Sequence, residues 1–424
     1  MTSVAIIGTG IAGLGCAHFL QDRVELTLFE QAEHIGGHTN TVTVDEQGRG
    51  VPIDTGFMVF NEVTYPNLTR LFRDLDVETR PTAMSFSVQH VPGGLEYNGS
   101  SVNQLFGQRR NLVSPRHWRM LMAINRFNVE AVPALDQPQW DEYTLAEYVT
   151  ERGYGSDLLD RYLLPMSGSV WSAAPERMLE FPAKTLLRFW HNHGFLGLHT
   201  QHPWRTVSGG AQAYVSRLTA PFRDRIRQRA RVVRVIRGEG WAEVVTAEGS
   251  ARRFDKVVFA CHADEALALL ADPTERESRL LGAFAFQRNT ALLHTDARIM
   301  PRVRRCWASW NYRIDPLPDG GDLPTIHYWM NSLQGVSERE QYFVSLNSEP
   351  LIAPERVLRR IEYSHPLFDL AAVKAQRELP RLNRLTPHQE TYYAGAWFKY
   401  GFHEDGFTSG LECARALARE DFWE

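Results

Sequence analysis

The stretch Ser3-Val4-Ala5-Ile6-Ile7-Gly8-Thr9-Gly10-Ile11-Ala12-Gly13 opens the chain and decides its fold. Its β-branched apolar run stops at a glycine, as a strand buried on both faces does. A G-x-G-x-x-G follows at once, at the head of a segment that reads as a helix, Ala12 to Gln21. In that setting Gly8 permits a tight turn, Gly10 lets a pyrophosphate approach the backbone, and Gly13 lets helix and strand pack closely. The helix N-terminus, with Ile11 and Ala12 in its first turn, offers free N–H groups and partial positive charge to phosphate. A second strand, Val24–Glu30, ends on an acid seventeen residues past Gly13. A carboxylate there accepts hydrogen bonds from ribose hydroxyls and disfavours a 2′-phosphate. A lone glycine motif is weak; the strand, turn, helix, strand and acid together predict an α/β, Rossmann-like dinucleotide-binding domain.

Outward from this unit, residues 40–54 read as a hairpin or polar loop returning to Asp54, and the texture changes after about residue 75. Helical patterns appear around 115–130, 144–164 and 182–193. Strand patterns return from Val232 as V-V-R-V-I-R, W-A-E-V-V-T-A and K-V-V-F-A, separated by turns at Gly238–Gly240 and Glu248–Ser250. The tail is a strand from Thr391, a glycine-punctuated turn, Gly401–Gly406, and a final helix, Ser409–Arg419. Like elements at the start, middle and end predict two interleaved domains. A dinucleotide-binding domain takes residues 1–75, 205–290 and 385–424; an α+β substrate domain takes 76–204 and 291–384.

A chain of 424 residues exceeds what a single core usually supports. Its 43% hydrophobic and 23% charged residues are those of a globular protein, and a net charge of -4 argues against a nucleic-acid partner. Cys16, Cys261, Cys306 and Cys413 form no Cys-x-x-Cys pair, which fits a reducing compartment and neither a disulfide framework nor a zinc site. No basic region precedes the first apolar run, so no signal peptide is read. No apolar stretch reaches the ~18 residues of a membrane span. The expected location is the cytoplasm.

Gly36-Gly37-His38-Thr39-Asn40-Thr41, six residues past Glu30, resembles the G-G-R-x-x-T/S stretch of FAD-binding amine oxidases, phytoene desaturases and protoporphyrinogen oxidases. The resemblance implies FAD, crossed a second time at its pyrophosphate. His38 departs from the usual arginine and leaves one hydrogen bond and at most partial charge for a phosphate. Lys256–Ala260 resembles the strand under the adenosine half, and Arg231–Val233 the strand whose backbone pairs with adenine. In these families the segment Gly401-Phe402-His403-Glu404-Asp405-Gly406-Phe407 leads into a helix whose N-terminus faces the pyrimidine edge of the flavin. Phe57 and Met58, after Gly56, are expected beside the ring, or else as plain core. No cysteine falls where the families form a flavin thioether, so the FAD is expected to be non-covalent.

A closer resemblance, from Met1 to about Gly410, rests on Asp54–Asn61, Thr64–Asn67, Met84–Val88, Ser169–Ser172, Tyr328–Asn331 and the Gly-Phe-His-Glu-Asp-Gly run. These are similar to the FAD-binding domain at the N-terminus of plant cyclopropane-fatty-acid synthases. Bacterial relatives of that domain stand alone and are often encoded near acyl-modifying methyltransferases. The resemblance implies an FAD-dependent oxidoreductase that desaturates or oxidises an acyl-chain or other apolar substrate by hydride transfer to the flavin. A functional link to such a methyltransferase is implied with it. Two alternatives stay open: a flavin amine oxidase, and a redox-inactive module presenting lipid to a methyltransferase.

For the chemistry, His403 is the best polar candidate and reads equally as a capping histidine. His191, His193, His199 and His202 lie among Phe189, Trp190, Phe195 and Trp204; without a Cys or acidic partner in the segment they suggest an aromatic wall more than a metal site. From Leu105 to Glu130, Arg109, Arg110, Arg116, Arg119 and Arg126 are interleaved with apolar residues such as Trp118. The texture suits a segment lying on an anionic membrane, at its inner face, or a helix with a solvated basic side.

Overall fold

The computed structural model describes residues 1–197, 200–317, 321–384 and 389–423. Five parallel strands form the first sheet, in the order Ile226–Arg227, Glu25–Phe29, Ser3–Ile7, Lys256–Phe259, Thr391–Tyr393. Three distant parts of the chain thus share one sheet. Val4, Ala5 and Ile6 are fully buried at its centre, which accounts for the unbroken apolar run. Register aligns Ile7 with Phe29 on one side and Phe259 on the other, and Phe259 with Tyr393. The segments starting at Gly8, Glu30, Ala260 and Ala394 therefore leave the sheet at one edge, the carboxyl edge where such sheets bind ligands.

The first helix, Ile11–Leu20, crosses from that edge, and the closing helix, His403–Ala418, packs along it with its N-terminus at the same end. The closing helix starts six residues before the expected Ser409. Gly406 reads as a turn residue in the sequence, yet it and Gly410 are helical contact points. A Cβ at Gly406 would lie 2.8 Å from Ile11 Cγ2, and one at Gly410 would lie 2.2 Å from the Ala12 carbonyl oxygen. Their partner is 400 residues away in sequence, so local punctuation misplaces the helix start.

Thr41–Glu46 and Arg49–Asp54 form the expected hairpin, and Val232–Gly238, Trp241–Thr246 and Ala251–Phe254 form a three-stranded antiparallel sheet. A seven-stranded sheet runs Val357–Leu367, Ala285–His294, Phe343–Leu346, Asp322–Trp329, Trp310–Pro316, Phe86–His90, Leu95–Asn98. Only its Trp310–Ile314 pairing with Phe86–His90 is parallel. Helices Pro115–Ala134 and Ala183–Asn192 lie between its two halves in sequence. Among the described residues no helix is long and apolar enough to cross a membrane.

Candidate cofactor and active site

The first helix begins without a capping partner. Gly10 is its N-cap, no side chain caps it, and no acid occupies its first turn. Its N–H groups and dipole are available to an anion. Gly8, at φ +105°, turns the chain so tightly that a Cβ would lie 2.6 Å from the Ala260 carbonyl oxygen. A Cβ at Gly13 would lie 2.1 Å from the Gly8 oxygen, whereas one at Gly10 would meet nothing within 4 Å. Two of the glycines keep the turn against the sheet; the third faces open space where a diphosphate needs room. Glu30, nearly buried, accepts from the backbone N–H of Ala32 at 2.8 Å and of Thr9 at 3.2 Å, and from the Thr9 hydroxyl.

Gly36-Gly37 comes back to this turn. Gly10 and Gly36 form an isolated parallel bridge, and a Cβ on Gly37 would lie 3.0 Å from Gly10 Cα. The His38 ring stacks on Tyr363 at 4.9 Å and meets His365 edge-on at 5.3 Å. Burial, then the nearby His365, His262 and His403, hold its pKa well below the ordinary value. With the ring held against Tyr363, the backbone of Gly36–His38 is what offers donors to a phosphate. Val233 lies at a bulge where the ladder steps from Val232 to Arg234, so its peptide is left out of the strand pairing. An adenine edge needs a backbone group of that kind. The unpaired helix end, the opening at Gly10, the buried acid and the bulge fit FAD.

At the closing helix the predicted side chains do other work. Glu404 accepts from the backbone N–H of Asn67 (3.1 Å) and Leu68 (2.9 Å), capping the helix Pro66–Asp74. Asp405 accepts from the N–H of Phe402 (3.0 Å) and Tyr400 (3.2 Å), and burial pushes its pKa up to about 7. Phe407 is fully buried against Phe19 and Trp423, and Gly406 serves the helix contact. The side chains of Glu404 and Asp405 are thus engaged with backbone N–H groups of the protein. His403 Nε2 meets Thr39 Oγ1 at 2.9 Å and Tyr214 OH at 2.7 Å, its ring lies 3.8 Å from that of Phe57, and burial lowers its pKa to about 3. It is a neutral joint between the second glycine turn, the helix Gln212–Thr219 and the closing helix. Gly56 allows the main chain to pass beneath His38, where a Cβ would lie 2.1 Å from its oxygen. Met58 is buried, its carbonyl accepting from Thr206 Oγ1.

A sequence profile of the family described as flavin containing amine oxidoreductase matches residues 11–295, two thirds of the chain. The chain belongs to this family. It is an FAD-dependent oxidoreductase. A 15-cis-phytoene desaturase of Synechococcus elongatus is 37% identical over 78 residues, which span 18% of this chain and 16% of that relative. Among solved structures, cyclohexylamine oxidase from Brevibacterium oxydans IH-35A superposes with TM-score 0.69 at 18% identity, covering 99% of both chains. A CLA-producing fatty acid isomerase from P. acnes superposes with TM-score 0.66 at 16% identity, covering 99% of this chain and 98% of that one. At these identities the superpositions speak for the fold.

Beside the closing turn this flavoenzyme has an aromatic wall. Phe189 stacks on Phe402 at 4.9 Å and on His193 at 3.8 Å, with Trp171 at 4.7 Å, and Trp171 Nε1 donates to the Tyr400 carbonyl. Burial lowers the His193 pKa to about 4, so this ring too is neutral. His193 Nδ1 bonds the Phe189 carbonyl and His202 Nε2 that of Asn192; His191 is exposed, and His199 lies outside the described residues. Among the described residues no three candidate ligands gather to hold a metal. Sequence reading missed Tyr214, Tyr363, His262 and His365. They come from segments far along the chain from the second glycine turn they join, Tyr214 being 175 residues from Thr39, and no local pattern marks them.

Proposed function

We propose that this oxidoreductase removes hydrogen from an acyl chain or similarly apolar substrate. The observation that carries the reading is the wall of Trp171, Phe189, His193 and Phe402, all apolar or neutral, at the start of the closing helix. Next to it a cleft of about 60 Å³ is lined by Trp171, Met178, Phe181, Leu367 and Phe368 together with Arg177, Glu180 and Asp369. FAD, when bound, accepts the hydride. The protein's part is to hold a C–H bond in place and keep water out, which needs apolar surface and no triad.

The lysines support the same reading against amine oxidation, where a lysine near the flavin is common. Lys184 pairs with Asp141 and Lys374 with Glu142. Lys256 starts its strand, at the end of the sheet away from the glycine turns, and donates to the Gln389 carbonyl. Lys399 is exposed. The local likeness to a desaturase adds support.

Anaerobic titration of the purified flavoprotein tests the reading. Phospholipid or free fatty-acyl substrates should bleach the oxidised flavin band while primary amines leave it unchanged. Bleaching by amines alone would make the chain an amine oxidase; bleaching by neither would sink the acyl reading.

A further inference from the structure

Seven of the twelve exposed large apolar side chains among the described residues fall within residues 102–132. Val113 is 83% exposed at the N-terminal approach to the helix Pro115–Ala134. Along that helix Trp118 (45%), Met122 (62%) and Val129 (67%) stand four and seven residues apart, so they form one outward stripe. The opposite face, with Met120, Phe127 and Ala131, is buried. Globular surfaces scatter such residues singly, and a contiguous set marks a contact surface.

The charge beside the stripe is not the one the sequence suggests. Arg116 pairs with Asp157 at 2.6 Å, and Arg126 with Glu130 at 2.9 Å. Arg109 and Arg110 bond neutral groups, the Asn103 side chain and the carbonyls of Phe106 and Gly94. With Arg119 they have no ion-pair partner among the described residues. The fold then adds cations from elsewhere. A Cβ at Gly107 would lie 2.8 Å from Cys306 Sγ and 3.4 Å from Arg305 Cβ, so the exposed Arg302, Arg304 and Arg305 stand beside the same segment. The local acid Glu96 is buried and accepts from the N–H of Arg302 and Val303.

We propose that this surface docks on an anionic phospholipid bilayer, Trp118, Met122 and Val113 entering the interface and Arg109, Arg110, Arg119, Arg302 and Arg305 meeting the headgroups. An apolar stripe rimmed by unneutralised arginines, on a chain of net charge -4, complements a surface that is apolar beneath and negative above. As a binding surface it stands on its own geometry; as the route of the substrate it rests on the acyl reading. The inward face packs against the core: Phe127 meets Trp190 edge-on at 5.8 Å, and Phe189, the residue before it, stacks on Phe402.

Co-sedimentation of the flavin-loaded protein with vesicles tests it. Vesicles rich in phosphatidylglycerol should bind the protein at low ionic strength, and pure phosphatidylcholine vesicles should not. High salt should release it as the arginines are screened. Each arginine removed should weaken partitioning about fivefold, so R109Q/R110Q/R119Q should lose about a hundredfold, and Trp118→Asp with Met122→Asp should also abolish binding. All these side chains are on the surface, so flavin content should stay as in wild type, which separates lost docking from lost folding. Absence of binding to anionic vesicles, equal binding to neutral ones, or binding to RNA without binding to vesicles would each overturn the proposal. Flavin bleaching by detergent-dispersed acyl substrate is read separately, so the docking and acyl readings fail independently.

Discussion

The first helix and the closing helix begin side by side at the carboxyl edge of the same sheet, and they present opposite electrical faces. The first has no capping side chain and no acid in its opening turn. The closing helix has two buried acids there, Asp405 holding its own N-terminus and Glu404 holding that of Pro66–Asp74. A bare helix end is a seat for an anion, whereas a capped one already has its charge. The contrast assigns the diphosphate to the first helix. The closing helix is held by glycine contacts to its neighbour and by the His403 joint to Thr39 and Tyr214.

The sharpest way to break that contrast is Gly10→Val. Gly10 has φ -65° and open space around its Cβ position, so valine suits the fold and obstructs only the diphosphate. The variant should fold, by circular dichroism, and purify without flavin. Gly13→Val is the control that should fail to fold, because its Cβ would lie 2.1 Å from the Gly8 oxygen. Glu30→Ala comes next. Loss of charge-assisted hydrogen bonds to ribose, roughly 1.5–3 kcal/mol, should weaken FAD about ten- to a hundredfold in a fluorescence titration of deflavinated protein.

Effects at the closing helix should be smaller and should fall on stability. Tyr214→Phe removes a hydroxyl bonded to Thr39 and His403. It should cost about 0.5–1.5 kcal/mol per lost bond in urea unfolding, with little change in flavin content. Asp405→Asn should show itself in pH dependence. Burial raises the Asp405 pKa from 3.8 to about 7, and Asp54, held by Ala211, Gln334 and Thr41, behaves alike. Each binds its proton more tightly in the folded state, so its stabilising contribution is full below about pH 4 and falls as pH rises through 7. Buried His365 and His403, lowered from 6.5 to about 4 and 3, work oppositely over the acid part of that window. The difference in melting temperature, Asp405→Asn minus wild type, should therefore grow from pH 4 to pH 7. A constant difference would mean that Asp405 does not titrate there.

The same contrast separates what could be read in the sequence from what could not. The seat on the first helix is largely local, since turn, helix and acid lie within thirty residues and Gly13 works against Gly8, although Gly8 itself is fixed by the distant Ala260. The closing helix is not: Gly406 and Gly410 acquire meaning only against Ile11 and Ala12. Glu404 and Asp405 are expected at the cofactor from their place in the motif, and the sequence does not show that both also cap helix ends, because one set of N–H groups they hold comes from the distant Asn67 and Leu68. His38 stands where the resembling families place a phosphate-facing arginine, but Tyr363 and His365, from a distant strand, pack against its ring. Among the arginines of 105–130, local spacing counts charge correctly but cannot see Asp157, which neutralises Arg116, or Arg305, which joins the surface.

Identifying the bound flavin tests the central claim most directly. Protein precipitated with acid should release its flavin into the supernatant, one FAD per chain by chromatography, since both the Glu30 seat and the Val233 bulge require the adenosine half. Cys261, the residue after Ala260, should not hold it back, because burial pushes its thiol pKa well above the ordinary value. Released FMN, flavin remaining in the pellet, or a colourless protein that takes up no FAD would contradict the assignment of the first helix as the diphosphate seat.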